Sequence, residues 1–173
     1  MVAVVLFWQQ EKDELISDTP TAQNMTPAWI IEKPVIEHFD NEGTLIGRIQ
    51  ANGMQYQQEL ELTSFQSPIL EQGKNTSEGR QLAWRATAME AKTTNLSQQI
   101  DLIGDVNVYN LLQRYHLKTA ELNADSVQRI LRTDTSSTLT GPNSAISAGS
   151  VVANWVDETI DLSNDVQVTI TPR

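Results

Sequence analysis

Cysteine is absent from this sequence of 173 residues. Its absence excludes disulfide bonds, thiolate metal ligands and cysteine nucleophiles. Basic residues are also few, since 12 lysines and arginines stand against 22 aspartates and glutamates and leave a net charge of -10. A protein of this charge repels a phosphate backbone, so we expect no nucleic-acid partner.

The usual sequence patterns of catalysis and cofactor binding are missing as well. The sequence has no Gly-x-Ser-x-Gly pattern and no glycine-rich phosphate loop, and its two histidines, His38 and His116, lie far apart. The paired aspartates at 101 and 105 and at 161 and 165 are expected on a solvated face, without the pocket that acid catalysis needs. We therefore predict no enzyme, no metal site and no cofactor. The alternative is a carbohydrate-acting enzyme on a β scaffold.

No apolar run in the sequence is long enough to span a bilayer. The longest, MVAVVLFW, occupies residues 1–8, and as a helix it would cover about 12 Å of a hydrocarbon core about 30 Å thick. Two interpretations stay open. The run is either the end of a membrane anchor whose beginning is missing, which its tryptophan favours because this residue prefers the interface, or a buried strand. Residues 9–27 are polar and are predicted to be a linker.

From residue 28 to residue 173 the pattern predicts one all-β domain, because short apolar alternations are separated by turn signals. Two stretches are near copies of each other, IDLIGDVNV at 100–108 and IDLSNDVQV at 160–168. In both copies the first, third, seventh and ninth residues are apolar, and the second, sixth and eighth are aspartate, asparagine or glutamine. This period of two predicts that a strand with one buried face was built twice.

Weaker copies of the same strand–turn–strand unit predict repeated antiparallel hairpins, stacked as an elongated two-sheet roll or solenoid. The alternation breaks at Phe65, as a β-bulge would break it. The apolar faces of the strands are expected to line one groove, although they would pack as an ordinary core in any sandwich. The expected lining residues are Leu82, Trp84, Ala86, Ala88, Ile100, Leu102, Val106, Val108, Ala120 and Leu122.

An ordered set of features resembles the LptC family of bacterial lipopolysaccharide-export proteins. The set comprises the apolar start, the polar linker, FDNEGTL at 39–45, ANGMQYQQELELTSFQSPIL at 51–70 and hairpins ending in NDVQV. The resemblance implies an open, elongated β-jellyroll in the periplasm of a Gram-negative bacterium. It also implies a single-pass anchor in the inner membrane, of which residues 1–8 would be the apparently incomplete remnant.

The resemblance further implies a carrier that receives lipopolysaccharide from the inner-membrane ABC transporter and passes it to an LptA-like periplasmic bridge protein. The anchor helix would lie against the transporter's membrane subunits. Acyl chains need a covered route, since each exposed methylene costs about 0.8 kcal/mol. Phe65 is similar to a position at which the family contacts its lipid. The residues predicted to contact the acyl chains of lipid A are Phe65, Trp84, Ala86, Ile100, Leu102, Val106, Leu122, Ile160 and Leu162. An alternative of another class is a structural β-solenoid scaffold with a solid core and no cargo.

The last strand is expected to offer an uncovered edge to a partner. Val166, Val168 and Ile170 form its apolar face, and an uncovered edge presents N–H and C=O groups to another strand. A partner of the same fold, the LptA-like bridge, would continue the sheet there. The alternative is an internal strand that is paired on both sides.

Overall fold

The structure is a computed structural model that describes residues 27–76, 79–94, 98–154, 156–157 and 159–170. The predicted anchor remnant, and the predicted linker apart from Pro27, lie outside these ranges. The described residues form sixteen strands and one short 3-10 helix, Gln58–Leu60. No helix among them is long and apolar enough to cross a membrane. The predicted all-β fold is thus confirmed.

All strand pairs are antiparallel, and the strands follow one another closely along the chain. The first eight strands are β1 (Trp29–Glu32), β2 (Val35–Phe39), β3 (Leu45–Gln50), β4 (Gly53–Gln57), β5 (Leu62–Gln66), β6 (Ile69–Thr76), β7 (Gly79–Thr87) and β8 (Glu90–Thr94). The other eight are β9 (Gln99–Asn110), β10 (Tyr115–Asp125), β11 (Ile130–Thr133), β12 (Ser137–Thr140), β13 (Ser144–Ala148), β14 (Ser150–Asn154), β15 (Thr159–Ser163) and β16 (Gln167–Ile170).

The strands form two layers that share β9 and β10. The first layer has the order β1-β4-β5-β8-β9-β10-β11-β14-β15, and in the second β2, β3, β6 and β7 lead to β9 while β12, β13 and β16 follow β10. β9 pairs with β8 through residues 101–103 and with β7 through residues 107–110. The chain therefore crosses from one layer to the other along a line of sharp bends, which we call the crease.

The two near copies in the sequence are two of these bends. Gly104 and Asp105 have φ angles of 77° and 44°, and Asn164 and Asp165 have φ angles of 61° and 54°. Glycine, asparagine and aspartate tolerate this left-handed region better than other residues do. Each copy therefore encodes a strand that runs in the first layer, bends at the crease and continues in the second.

Backbone hydrogen bonds join neighbouring bends along the crease. The N–H of Ser67 donates to the carbonyl of Met89 at 2.8 Å, and the N–H of Met89 donates to the carbonyl of Gly104 at 2.8 Å. At the other end, the N–H of Gly149 donates to the carbonyl of Asn164 at 2.6 Å. These bonds satisfy backbone groups that a sharp bend would otherwise leave without a partner, and they hold successive bends in line.

Three of the most completely buried side chains lie beside the crease. Phe65 is 1% exposed, and Ala91 and Val106 are fully buried. Three threonine hydroxyls there bond to one another, those of Thr119, Thr133 and Thr135, at 2.8 to 3.1 Å. Since buried polar groups need hydrogen-bond partners, this triangle provides partners for three hydroxyl groups beside the crease.

Two bulges turn predicted groove residues away from the interior. The pairing of β6 with β7 shifts between Gln72 and Gly73, so Leu82 lies opposite Gly73 and is 39% exposed. The pairing of β9 with β10 shifts around Ala120, which is also exposed. An inserted residue reverses the alternation on one side of it, and the strict period of two was wrong at these positions.

The predicted bulge at Phe65 is a turn instead. The 3-10 helix Gln58–Leu60 ends β4, Glu61 takes a φ of 49°, and β5 then pairs with β4 without a register shift. The alternation restarts because a new strand begins. Phe65 itself occupies a regular inward position in β5.

The second near copy keeps its alternation but lacks the buried face that was expected of it. Ile160 is 43% exposed, Val168 is 57% exposed and Ile170 is 72% exposed. Among the described strands, β15 pairs with β14 alone and β16 with β13 alone. A strand at the edge of a layer has a neighbour on one side only, which leaves its apolar face open.

Replacement of Gly104 by alanine should destabilise the crease more than its φ angle alone explains. A Cβ on Gly104 would lie 2.9 Å from Met89 Sδ and 3.0 Å from Met89 Cβ. Gly43 is a matched control because its φ is similar, at 79°, and its Cβ would meet nothing within 4 Å. We expect Gly43→Ala to lose about 1 kcal/mol and Gly104→Ala about 2–3 kcal/mol of unfolding free energy in urea. Equal losses would contradict the contact with Met89.

Candidate functional site

Two apolar rows run across the inner faces of the layers, and the first of them extends from one edge strand to the other. In the second layer, directly paired residues form one row from β2 to β16. Its members are Ile36, Ile49, Leu70, Ala86, Val108, Leu117, Leu139, Ile146 and Val168. Because each member sits opposite the next, the row is a continuous apolar path across the layer.

A second row crosses the first layer near the outer ends of its strands. It runs through Ile100, Ala124, Leu131, Ala153 and Ile160, each paired with the next. The first residues of the two near copies are therefore the two ends of one row. Large and small side chains alternate along it, and the alanines leave room between the larger residues.

A cavity of about 380 Å³ opens between the layers, at the end of the strands away from the crease. Trp84 of β7 forms one wall, and Leu131, Ala153 and Ile160 of the first layer form the facing wall. A smaller pocket of about 50 Å³ shares these four residues and reaches Val108 and Leu117. The volume of the larger cavity, about 380 Å³, falls within the range of sites for small molecules, which is roughly 300–1,000 Å³.

The bulge in β7 shapes this wall. Ala83 is the extra residue, is 1% exposed and lines the cavity beside Trp84. The short alanine side chain leaves space where a regular strand would have placed Leu82. The same bulge that turned Leu82 outward thus widens the cavity.

The predicted contact residues occupy three kinds of position in this arrangement. Trp84 and Ile160 line the cavity. Ala86, Ile100 and Leu162 are partly buried and pack against the core. The remaining four are in the core with exposures of 2% or less, namely Phe65, Leu102, Val106 and Leu122. The structure therefore brings two of the nine to the cavity.

Several lining residues were missed by the sequence patterns. Leu131 and Ala153 belong to weak alternations whose inward parity was not assigned. Leu112, Gln113 and Val156 lie in or beside hairpin turns, where no period indicates a direction. Asn110 lies two residues beyond the first near copy, at a position of the same parity as Val108, and could have been found by extending the alternation by one step of two residues.

The two ends of the sheet are open among the described strands. β1 and β2 form one edge, and β15 and β16 form the other. Both carry apolar residues that are exposed, including Ile31 at 45% and Val35 at 58% on one edge and Val166 at 44% on the other. Such edges present backbone groups that can accept a further strand.

The titratable groups with shifted pKa values lie away from the cavity. Burial, aided by the nearby charge of Lys118, lowers the pKa of His116, whose ring stacks on Tyr109 with centroids 4.2 Å apart. The backbone N–H of Gln128 lowers the pKa of Asp125, helped by hydrogen bonds from Gln99 and the N–H of Val127 and opposed by partial burial. The described residues hold no group of three or more histidines or carboxylates placed to bind a metal ion. These titrating groups stabilise strands and turns.

Comparisons with known proteins agree with the all-β fold described above. The family model described as lipopolysaccharide-assembly, LptC-related, matches residues 1–171. No curated protein sequence matches the chain. Among solved structures, a similar one is LptH from Pseudomonas aeruginosa, described as the LptA-homologous periplasmic component of the conserved lipopolysaccharide transport device. It superposes with a TM-score of 0.60 at 8% sequence identity and covers 73% of this chain and 95% of its own. This likeness of fold confirms the predicted open β-jellyroll.

Truncation of Phe65 and of Trp84 should separate the closed core from the cavity wall. Phe65→Ala leaves a hole in a packed region, and we expect a loss of about 3–5 kcal/mol of unfolding free energy. Trp84→Ala removes a half-buried ring that already borders open space, so about 1–2 kcal/mol is expected. Urea unfolding of the two variants and the wild type measures both. A larger loss for Trp84→Ala would contradict the assignment of this residue to an open wall.

Proposed function

Since this chain belongs to the LptC-related family of lipopolysaccharide-assembly proteins, we propose that it carries lipopolysaccharide through the space between its two layers. Membership confirms the resemblance found in the sequence and supports a role in lipopolysaccharide transport. The finer proposal is a non-enzymatic carrier that is anchored in the inner membrane with its jellyroll in the periplasm. It would receive lipid from the inner-membrane ABC transporter, against whose membrane subunits the anchor would lie, and pass it to an LptA-like bridge protein.

The observation that carries this proposal is the meeting of a cavity with uninterrupted apolar rows. Acyl chains bind where apolar surface is available and no fixed polar group stops them from sliding. The row of the second layer reaches both edge strands, and the row of the first layer borders the cavity. A solid-core scaffold, the alternative, would need neither a cavity of about 380 Å³ nor the exposed Val168 and Ile160 that end the two rows.

In this proposal the nine predicted contact residues fall into three groups according to how close they lie to the cavity. Trp84 and Ile160 border the cavity and are the first contacts of an acyl chain. Ala86, Ile100 and Leu162 extend the same surfaces and are contacts of a longer chain. The four core residues, Phe65, Leu102, Val106 and Leu122, form the closed floor and touch lipid only when the layers move apart.

The edge formed by β15 and β16 is proposed as the docking site of the bridge protein. Val166, Val168 and Ile170 are exposed there, and Val168 ends the apolar row of the second layer. A partner strand added beside β16 would cover these side chains and extend the row into the partner. Sheet continuation and lipid transfer would then use the same surface.

Photocrosslinking tests the path of the lipid. A crosslinking amino acid at position 84 or 160 should form adducts with lipopolysaccharide in cells, because both side chains face the cavity. Position 118 is the control, since Lys118 is exposed and pairs with Asp105 at 3.2 Å outside the cavity. Equally frequent adducts at positions 84, 118 and 160 would contradict carriage between the layers and favour the scaffold. So would a lack of adducts at all three positions.

A charge placed on either face of β16 tests the docking edge. Val168→Asp puts a carboxylate into the apolar row that a partner would continue, and Thr169→Asp puts the same charge on the opposite face of the strand. Both side chains are exposed, so both variants should fold like the wild type. We expect co-purification with the LptA-like protein to fall about tenfold or more for Val168→Asp, and far less for Thr169→Asp. Equal effects of the two variants would argue against a continuation of the apolar row into the partner.

A further inference from the structure

We propose that the cavity between the layers holds one acyl chain of about 15 carbons, and that single-chain lipids are therefore ligands of this protein in their own right. The inference rests on the proposed function, because it uses the same cavity and the same apolar walls. It adds the number and the length of the chains that the cavity accepts, which decide whether a lipid with several tails can enter at once.

The volume of the cavity corresponds to a single acyl chain. A dry cavity of about 150 Å³ in a protein can hold one benzene molecule, which gives about 25 Å³ for each carbon atom. At that density the cavity of about 380 Å³ holds about 15 carbons. The pocket of about 50 Å³ that shares its walls adds room for about two more. Two chains of this length side by side would need about twice the volume.

The shape of the first-layer wall also fits one chain. Ala153 pairs with Leu131 on one side and with Ile160 on the other, so a short side chain lies between two long ones. Neighbouring strands are about 4.8 Å apart, which places Leu131 and Ile160 about 10 Å from each other at the backbone. Carbon atoms in contact lie about 3.5–4.0 Å apart. The furrow over Ala153 therefore has the width of one acyl chain, and Trp84 lines the cavity on the facing side.

The core closes the inner end of this space. The smaller pocket reaches Val108, Leu117, Leu139 and Val151, all of which are buried. A chain that enters from the outer end of the strands would thus point its methyl end toward the crease and leave its head group at the mouth. Methylenes beyond the length of the closed part would stay in contact with water, so they would add little to the free energy of binding.

A lipid with several acyl chains exceeds the space that the cavity offers. One of its chains would occupy the furrow over Ala153, and the others would need the layers to move apart. A lipid with one chain has no such requirement and enters the cavity as it is. Single-chain lipids and lipopolysaccharide would therefore compete for the furrow, because both place an acyl chain in it.

Binding of a series of lysophosphatidylcholines tests the inference. Their zwitterionic head group is constant, and saturated chains of about 10 to 20 carbons, each used below its critical micelle concentration, bracket the length derived from the volume. The affinity should rise about fourfold with each added methylene up to about 15 carbons, and less than about 1.5-fold with each one beyond this break. Each lipid that binds should also displace a labelled lipopolysaccharide from the protein.

Larger side chains at position 153 test where the chain lies. Ala153→Leu and Ala153→Val fill part of the furrow, so the break in the series should move to chains shorter by about three and about two carbons. Ala145→Leu is the matched control. Ala145 is also partly buried in a strand beside an edge strand, but it pairs with Thr140 and Thr169 on the face opposite the apolar row, so the break should not move. Urea unfolding checks that each variant folds, and the wild-type series is a test without them.

Four results would overturn the inference, and the first three leave the proposed function intact. If the affinity rises at one rate through the whole series, the chain is not confined to the cavity. If the wild type binds lipopolysaccharide but no single-chain lipid, the ligand class is wrong. If Ala153→Leu moves the break no farther than Ala145→Leu does, the chain does not lie in the furrow. If the wild type binds neither class of lipid, the proposed function fails and the inference fails with it.

Discussion

The backbone at the crease is the constraint on which the rest of this structure depends. Residues in the left-handed region turn each strand out of one layer and into the other, and hydrogen bonds such as Met89 N–H to Gly104 C=O at 2.8 Å hold successive bends in line. A line of bends fixes the angle between the layers. That angle decides where facing side chains touch and where they remain apart, so the position of the cavity follows from backbone geometry and not from any single lining residue.

The same apolar surface therefore serves as a core at one end of each strand and as a groove at the other. Near the crease the layers are close, and Val106 and Phe65 are sealed by their neighbours. Farther out the layers separate, and Trp84 faces Leu131 and Ile160 across open space. Stability and binding are thereby assigned to different segments of the same strands, which lets the binding end stay underfilled without unfolding the domain.

Open edges are normally a hazard for a β protein because they recruit unwanted strands. Here both edges also carry exposed apolar residues: Val168 ends the row of the second layer, and Ile31 pairs with the buried Met54 of β4. A carrier that hands cargo to a neighbour of the same architecture has a use for this arrangement, since an edge that pairs with a partner also aligns the two interiors. Asp161 and Asp165 lie exposed beside the apolar residues of β15 and β16 and would disfavour indiscriminate pairing.

The sequence by itself determined the β content, the hairpin repeat and the apolar alternation, because the period of two is a local property of a strand. It also carried the family resemblance and the near copies, whose Gly-Asp and Asn-Asp pairs mark bends. Only the tertiary structure decided which inward residues face protein and which face space. In the sequence alone, Phe65 and Trp84 are equally suited to line a groove. In the fold, their different distances from the crease give them different surroundings. The bulges at Ala83 and opposite Ala120 reversed the faces of residues near them, since a pattern that assumes regular pairing gives no sign of an extra residue in either paired strand. The lining residues Leu112, Gln113 and Val156 escaped notice for a related reason: a turn has no period, and its side chains acquire a common direction only when two layers bring several turns together around one opening.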